Sequence, residues 1–114
     1  MPTRRWTYFL PSYKKLRLAD PARKDLVEIG KYTWQTWGAA QKRKYLGQIK
    51  NAFKIIKDRP EIGPPRDDID IGLRSHPVNR HIIYYRIGEK ELIIVRVLHQ
   101  SMDWAVIARQ TQNG

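Results

Sequence analysis

Between Arg74 and His99 the chain gathers Arg74, Arg80, His81, Tyr85, Arg86, Arg96 and His99. Those residue types suit metal-independent phosphodiester cleavage. Such chemistry needs a base for a 2′-hydroxyl proton, an acid for the leaving oxygen, and cations for the charge of the phosphorane. Arg80, His81, Tyr85 and His99 would be the working set. Strand alternation puts His81 and Tyr85 on one side of a strand, with Tyr84 and Arg86 on the other. The simpler reading is preferred: the tyrosines pack and the arginines are solvated or paired.

Other chemistries lack their residues. His76, His81 and His99 lie on different segments, with no His-x-x-x-His or paired-carboxylate spacing, so no metal site is expected. The absence of cysteine removes disulfides, thiolate ligands and a thiol nucleophile. No Gly-x-Ser-x-Gly elbow occurs, and Gly63, Gly72 and Gly88 are scattered turn glycines rather than a phosphate-binding loop. No cofactor is expected.

The elements that must position the basic cluster follow from periodicity. Leu16 and Leu18 flank Arg17 in the alternation of a short first strand. Asp20-Pro21 opens a helix, the Asp as a side-chain cap and the Pro at the first helical position. Ala22, Leu26, Ile29, Thr33 and Trp37 form its apolar stripe, and Gly38 stops it. A second helix runs from about Ala39 to Lys57, burying Tyr45, Leu46, Ile49, Ala52, Phe53 and Ile56, and Pro60 ends it. Three β-branched and aromatic segments follow, Leu73–Val78, Arg80–Ile87 and Leu92–Leu98, the last two joined by a Gly88-Glu89-Lys90 turn. A turn of helix is expected between Ser101 and Ala108. The order predicts an α+β domain: an N-terminal strand, then a helical hairpin packed on a small antiparallel β-sheet.

At 114 residues the chain holds one core, and 41% hydrophobic content excludes disorder throughout. Three segments are expected: an N-terminal extension (1–14), one domain (15–108) and a tail (109–114). The apolar run Trp6–Leu10 is broken by Thr7 and is too short for a secretory signal or membrane span. A cytoplasmic protein without a membrane partner is expected.

Charge is unevenly divided. The formal net charge is +11, yet residues 1–57 hold 14 Lys/Arg against 3 Asp/Glu while residues 58–114 hold 8 against 8. The whole excess sits on the N-terminal half. A field of that sign attracts nucleic acid or an acidic protein.

Several short strings stand in a set order and spacing: Asp25-Leu26, Tyr32, Trp37-Gly38, Pro60, Gly63, Pro65-Arg66 and Gly72-Leu73-Arg74. Arg80-His81, Tyr85-Arg86, Val97-Leu98-His99 and Met102-Asp103 complete it. Together they resemble the ParE branch of the RelE/ParE superfamily, small toxins of bacterial toxin–antitoxin pairs. The resemblance runs from about Lys15 to Ala108. It implies the same helical hairpin on a small sheet, and an antitoxin whose C-terminal segment wraps that body in a hetero-oligomer that helps repress the operon. Lys42, Arg43, Lys50 and Lys54 on the hairpin are the expected antitoxin contacts.

Two activities compete within the superfamily. RelE-like members cleave messenger RNA on the ribosome with Lys and Arg and a Tyr near the C-terminus. Here no basic residue lies between Arg96 and Arg109, and no tyrosine follows Tyr85. The ParE branch resembles instead an inhibitor of DNA gyrase that acts by binding. Gyrase inhibition is therefore the expected function, with no catalytic residue. The target surface is expected among Arg74, Arg80, His81, Arg96, His99, Met102, Asp103 and Trp104. The alternative is a ribosome-dependent mRNA endoribonuclease using Arg80, His81, Tyr85 and His99.

Overall fold

A computed structural model describes residues 15–102 and Trp104. The expected N-terminal extension, Asp103 and the expected helical turn beyond Trp104 lie outside the described residues. The order is β1 (Lys15–Leu18), α1 (Asp20–Trp37), α2 (Ala39–Asp58), a 3-10 turn (Pro60–Ile62), β2 (Leu73–Val78), β3 (His81–Ile87) and β4 (Glu91–His99). The sheet order is β1-β4-β3-β2. Strands β2, β3 and β4 form the expected antiparallel meander, whereas β1 adds a parallel edge to β4, so the sheet is mixed. A parallel neighbour needs a long crossover, and the helical hairpin is part of that return path.

Helix α1 begins one residue earlier than a capping Asp would allow. Ala19 is the N-cap and no side chain caps the end; Asp20 is the first helical residue. Its carboxylate still sits favourably at the positive end of the helix dipole. Ala22, Ile29 and Thr33 are buried and Leu26 packs beside them, as the stripe predicts. The Thr33 hydroxyl donates to the Ile29 carbonyl at 2.7 Å, which satisfies it within the helix.

Trp37 breaks the expectation, being 70% exposed. The cause is length. The Ala19 N–H bonds the Ile94 carbonyl, and Asp25 receives the Val97 N–H, so α1 climbs alongside β4. From Asp25 to Trp37 the helix rises about 18 Å. From Val97 to its end at His99, β4 advances only about 7 Å. The last turns of α1 therefore have no sheet beneath them. Gly38 then reverses the chain with φ 95°, a conformation that favours glycine, while its N–H closes α1 on the Trp34 carbonyl.

Ile49, Ala52, Phe53 and Ile56 of α2 are buried against Ile83, Tyr85, Leu92, Ile94 and Val97, with Tyr45 and Leu46 half-buried at the margin. This is the main core. A second cluster, Leu73, Tyr84 and Leu98, lies on the other face of the sheet, with Ile69, Ile82, Val95 and Trp104 packed on it.

Two local features set which side chains reach which surface. Tyr84 pairs with Arg96 and Tyr85 with Ile94, leaving Val95 unopposed as a bulge. Asn79, with φ 58°, turns the chain between Val78 and His81, so Arg80 lies in the turn rather than in the expected strand.

Candidate interaction surfaces

The last cross-strand pair of β3 and β4 is His81 with His99. Their rings meet edge to face, with centroids 5.4 Å apart. His81 Nδ1 shares a hydrogen bond with the Tyr45 hydroxyl of α2, and His99 Nδ1 bonds the Ser101 hydroxyl at 2.8 Å. Burial pushes the His81 imidazole below its ordinary pKa, and the neighbouring His99 lowers it further, against a smaller opposing pull from Asp25. Arg80 is exposed in the adjoining turn, and its carbonyl receives the Gln100 N–H at 2.8 Å. Arg80, His81 and His99 thus share one end of the sheet.

Tyr85 does not join them. It lies four residues from His81, about 13 Å along the strand, and is fully buried. Its hydroxyl donates to the Pro60 carbonyl at 2.6 Å and accepts the Gly63 N–H at 2.9 Å. Burial raises its pKa. Gly63 must be glycine for this contact, because a Cβ there would sit 2.3 Å from the Ser75 carbonyl oxygen and 2.6 Å from the tyrosine hydroxyl.

Several arginines from the basic cluster are bonded to other residues of the fold. Arg96 grips the Asp25 carboxylate of α1 through two contacts of 2.8 Å, and the Val97 N–H donates to the same carboxylate at 2.9 Å. The two side chains are only 16% and 13% exposed, and the bond to Asp25 raises the Arg96 pKa. Arg74 donates to the Gly63 carbonyl at 2.7 Å, tying the loop to β2. Arg86 bonds the Ile71 carbonyl and Asp70. Met102 is half-exposed, whereas the ring of Trp104 lies 4.6 Å from that of Tyr84 and covers the far face of the sheet.

The hairpin is different in kind. From Ile29 to Lys57 the sequence contains no acidic residue and seven cationic ones: Lys31, Lys42, Arg43, Lys44, Lys50, Lys54 and Lys57. Arg43, Lys50 and Lys54 are exposed, while Lys42 is half-buried and lays its stem beside Gly30. The first helix, α1, exposes Val27, Tyr32, Trp34 and Trp37. Periodicity alone missed Val27 and Trp34 because they fall off the buried stripe. One signal was available: three aromatics between Tyr32 and Trp37 are more than one buried stripe can hold.

Among the described residues no group of three His, Cys, Asp or Glu side chains is placed to hold a metal ion. No described helix is long and apolar enough to cross a membrane.

A family model for the ParE toxin of the type II toxin–antitoxin system parDE matches residues 16–104. The chain belongs to the ParE toxin family. Toxin ParE1 of Caulobacter vibrioides is 34% identical over 90 residues, covering 79% of this ParE-family chain and 93% of the relative. Toxin ParE1 of Mycobacterium tuberculosis is 37% identical over 87 residues, covering 75% and 89%. Two solved structures share the fold. The chromosomal ParDE toxin–antitoxin system from P. aeruginosa superposes with a TM-score of 0.68 at 20% identity, covering 77% of this chain and 97% of that one. The RelBE2 toxin–antitoxin complex from Mycobacterium tuberculosis gives 0.57 at 22% identity, covering 75% and 96%. The expected architecture, a strand and helical hairpin on a small sheet, is the architecture of this ParE-family toxin.

Proposed function

We propose that this ParE-family toxin acts by binding DNA gyrase and is neutralised by a co-encoded antitoxin. The observation that carries the reading is the fate of Tyr85. A tyrosine that bonds Pro60 and Gly63 from inside the core has no free hydroxyl for proton transfer at the sheet end. With Arg74 and Arg96 also engaged, the chemistry for cleavage is thinned to Arg80, His81 and His99. Binding needs only a surface. Arg80, His81, His99 and Met102 form the proposed target contact, with Asp103 and Trp104 following in sequence. Lys42, Arg43, Lys50 and Lys54 form the proposed antitoxin contact, where opposite charge would speed encounter.

Plasmid supercoiling by purified gyrase tests this directly. Toxin-dependent accumulation of linear or nicked DNA, reversed by the antitoxin, is the expected result. Unchanged supercoiling at stoichiometric toxin would remove the mechanism. The His81–His99 pair favours one second reading, ribosome-dependent mRNA cleavage with Arg80, His81 and His99 but without Tyr85. Cleaved messenger RNA in a purified translation system, lost in His81→Gln and His99→Gln, would establish it instead.

A further inference from the structure

We infer that Arg80, His81 and His99 hold a phosphodiester of DNA, so that the toxin touches the DNA bound by gyrase as well as gyrase itself. The inference deepens the gyrase reading and rests on it.

Hydrogen-bond roles carry the first part. The Ser101 backbone N–H lies 3.2 Å from His99 Nδ1, and a backbone N–H can only donate. Nδ1 of His99 is therefore the acceptor, which assigns the ring proton to Nε2. His81 Nδ1 stands 2.5 Å from the Tyr45 hydroxyl. A phenol is a stronger donor than a neutral imidazole N–H, so the hydroxyl donates and the His81 proton is also assigned to Nε2. Burial favours the neutral ring at His81. Among the described residues neither Nε2 has a partner, and no buried side-chain nitrogen is left unbonded, so both N–H groups reach solvent.

Arg80 completes the set. Its side chain is exposed and forms no hydrogen bond or ion pair among the described residues. Its backbone is nonetheless fixed. The Arg80 carbonyl takes the Gln100 N–H at 2.8 Å, and the Asn79 side-chain amide donates to Gln48 of α2 at 3.0 Å. The turn is thus tied to the end of β4 and to α2 before any ligand arrives, which lowers the ordering cost of binding.

The donors select the ligand. A guanidinium and two imidazole N–H groups have no acceptor among them, so they suit an anion rich in oxygens. Asp25, the carboxylate whose charge reaches His81, is already held by Arg96 and the Val97 N–H. A protein carboxylate would be satisfied by the Arg80 fork alone, whereas a phosphodiester has further oxygens for the imidazoles. A formal net charge of +11 also draws a polyanion rather than a single carboxylate. Both Nδ1 lone pairs are occupied, so the pair can grip a phosphate but presents no base to a ribose 2′-hydroxyl. DNA, which lacks that hydroxyl, asks only for binding.

The test measures the affinity of labelled full-length toxin for purified gyrase with and without a bound linear duplex. Arg80→Gln and His99→Gln are compared with Lys57→Gln, which removes a charge about 18 Å along α2 from Tyr45. Circular dichroism and thermal melts check folding. Arg80→Gln alters a side chain that the fold does not use, so it decides the matter alone if His99→Gln unfolds. Wild-type and Lys57→Gln toxin are expected to bind DNA-loaded gyrase about tenfold more tightly than DNA-free gyrase. In Arg80→Gln and His99→Gln that ratio should fall to about threefold or less. A wild-type ratio near one, or a ratio unchanged in the variants, would overturn the inference while leaving the gyrase reading in place. Failure of wild-type toxin to bind gyrase in either form would sink the gyrase reading, and the inference with it. Titration against ribosomes carrying messenger RNA covers the other source of the phosphate. Binding lost there in Arg80→Gln, and retained on DNA-loaded gyrase, would give the site to RNA and overturn the inference.

Discussion

The sheet and the hairpin use polar side chains in opposite ways. In the sheet, charge is spent on contacts within the fold: Arg96 clasps Asp25 and Arg74 holds the Gly63 carbonyl away from solvent, and Arg86 reaches Ile71 and Asp70 at the surface. In the hairpin, Arg43, Lys50 and Lys54 of α2 stand in solvent, and α1 exposes two tryptophans. Side chains that close loops and join elements are costly to change and report on stability. Side chains left open cost the fold little and report on partners.

The largest expected effect breaks the inward side. Asp25→Ala leaves the Arg96 guanidinium largely buried without its carboxylate and also removes the acceptor of the Val97 N–H. Loss of one member of a buried ion pair costs about 3–5 kcal/mol, readable as a lowered urea midpoint. A loss under about 1 kcal/mol would mean that solvent relieves the pair.

Tyr85→Phe comes next. It keeps the ring in the core but strands the Pro60 carbonyl and the Gly63 N–H, for an expected loss of about 1–3 kcal/mol. The binding reading is sharpened if gyrase inhibition, measured well below the variant's melting temperature, stays at the wild-type level. A specific loss of activity in a fully folded Tyr85→Phe protein would contradict the placement of Tyr85 as structural.

A smaller effect concerns pH. The folded-state pKa values of His81 and His76 are lowered, chiefly by burial, from an ordinary 6.5. The unfolded chain therefore binds protons more readily than the folded one as pH falls below 6.5. Stability is full above that value and declines as pH drops through the folded pKa. His81→Gln should flatten this decline in melts between pH 7.5 and 5. An unchanged slope would assign the dependence to other groups.

The smallest stability effect is expected where the side chains are open. Lys50→Ala/Lys54→Ala should move the melting free energy by under about 0.5 kcal/mol. The same change should slow antitoxin association at low salt, with little change in dissociation. Stopped-flow mixing at two ionic strengths resolves the two rates, and a faster dissociation alone would place these lysines inside the contact rather than on its rim.

Much of this was legible along the chain because it depends on short-range pattern. The stripe Ala22, Leu26, Ile29, Thr33 follows from the 3.6-residue period. The strands follow from β-branched runs, the helix stop from Gly38 and the last hairpin turn from Gly88. The pairing of Arg96 with Asp25 was not legible, since 71 residues separate them and nothing local distinguishes Arg96 from the exposed Arg80. Trp37 was misplaced for a related reason. Periodicity gives the side of a helix that is apolar, but not whether anything lies beneath it.

The sequence by itself determined the order of elements, the two apolar faces of the hairpin's core, the acid-free stretch from Ile29 to Lys57, and the family. Those properties belong to neighbours in the chain or to composition. Only the tertiary structure decided which arginines are consumed, that Tyr85 is sealed against Pro60 and Gly63, and that His81 meets His99 and Tyr45. It also decided that α1 outruns β4 and leaves Trp34 and Trp37 in water. Each of these depends on the relative lengths and registers of elements distant in sequence, which local periodicity does not encode.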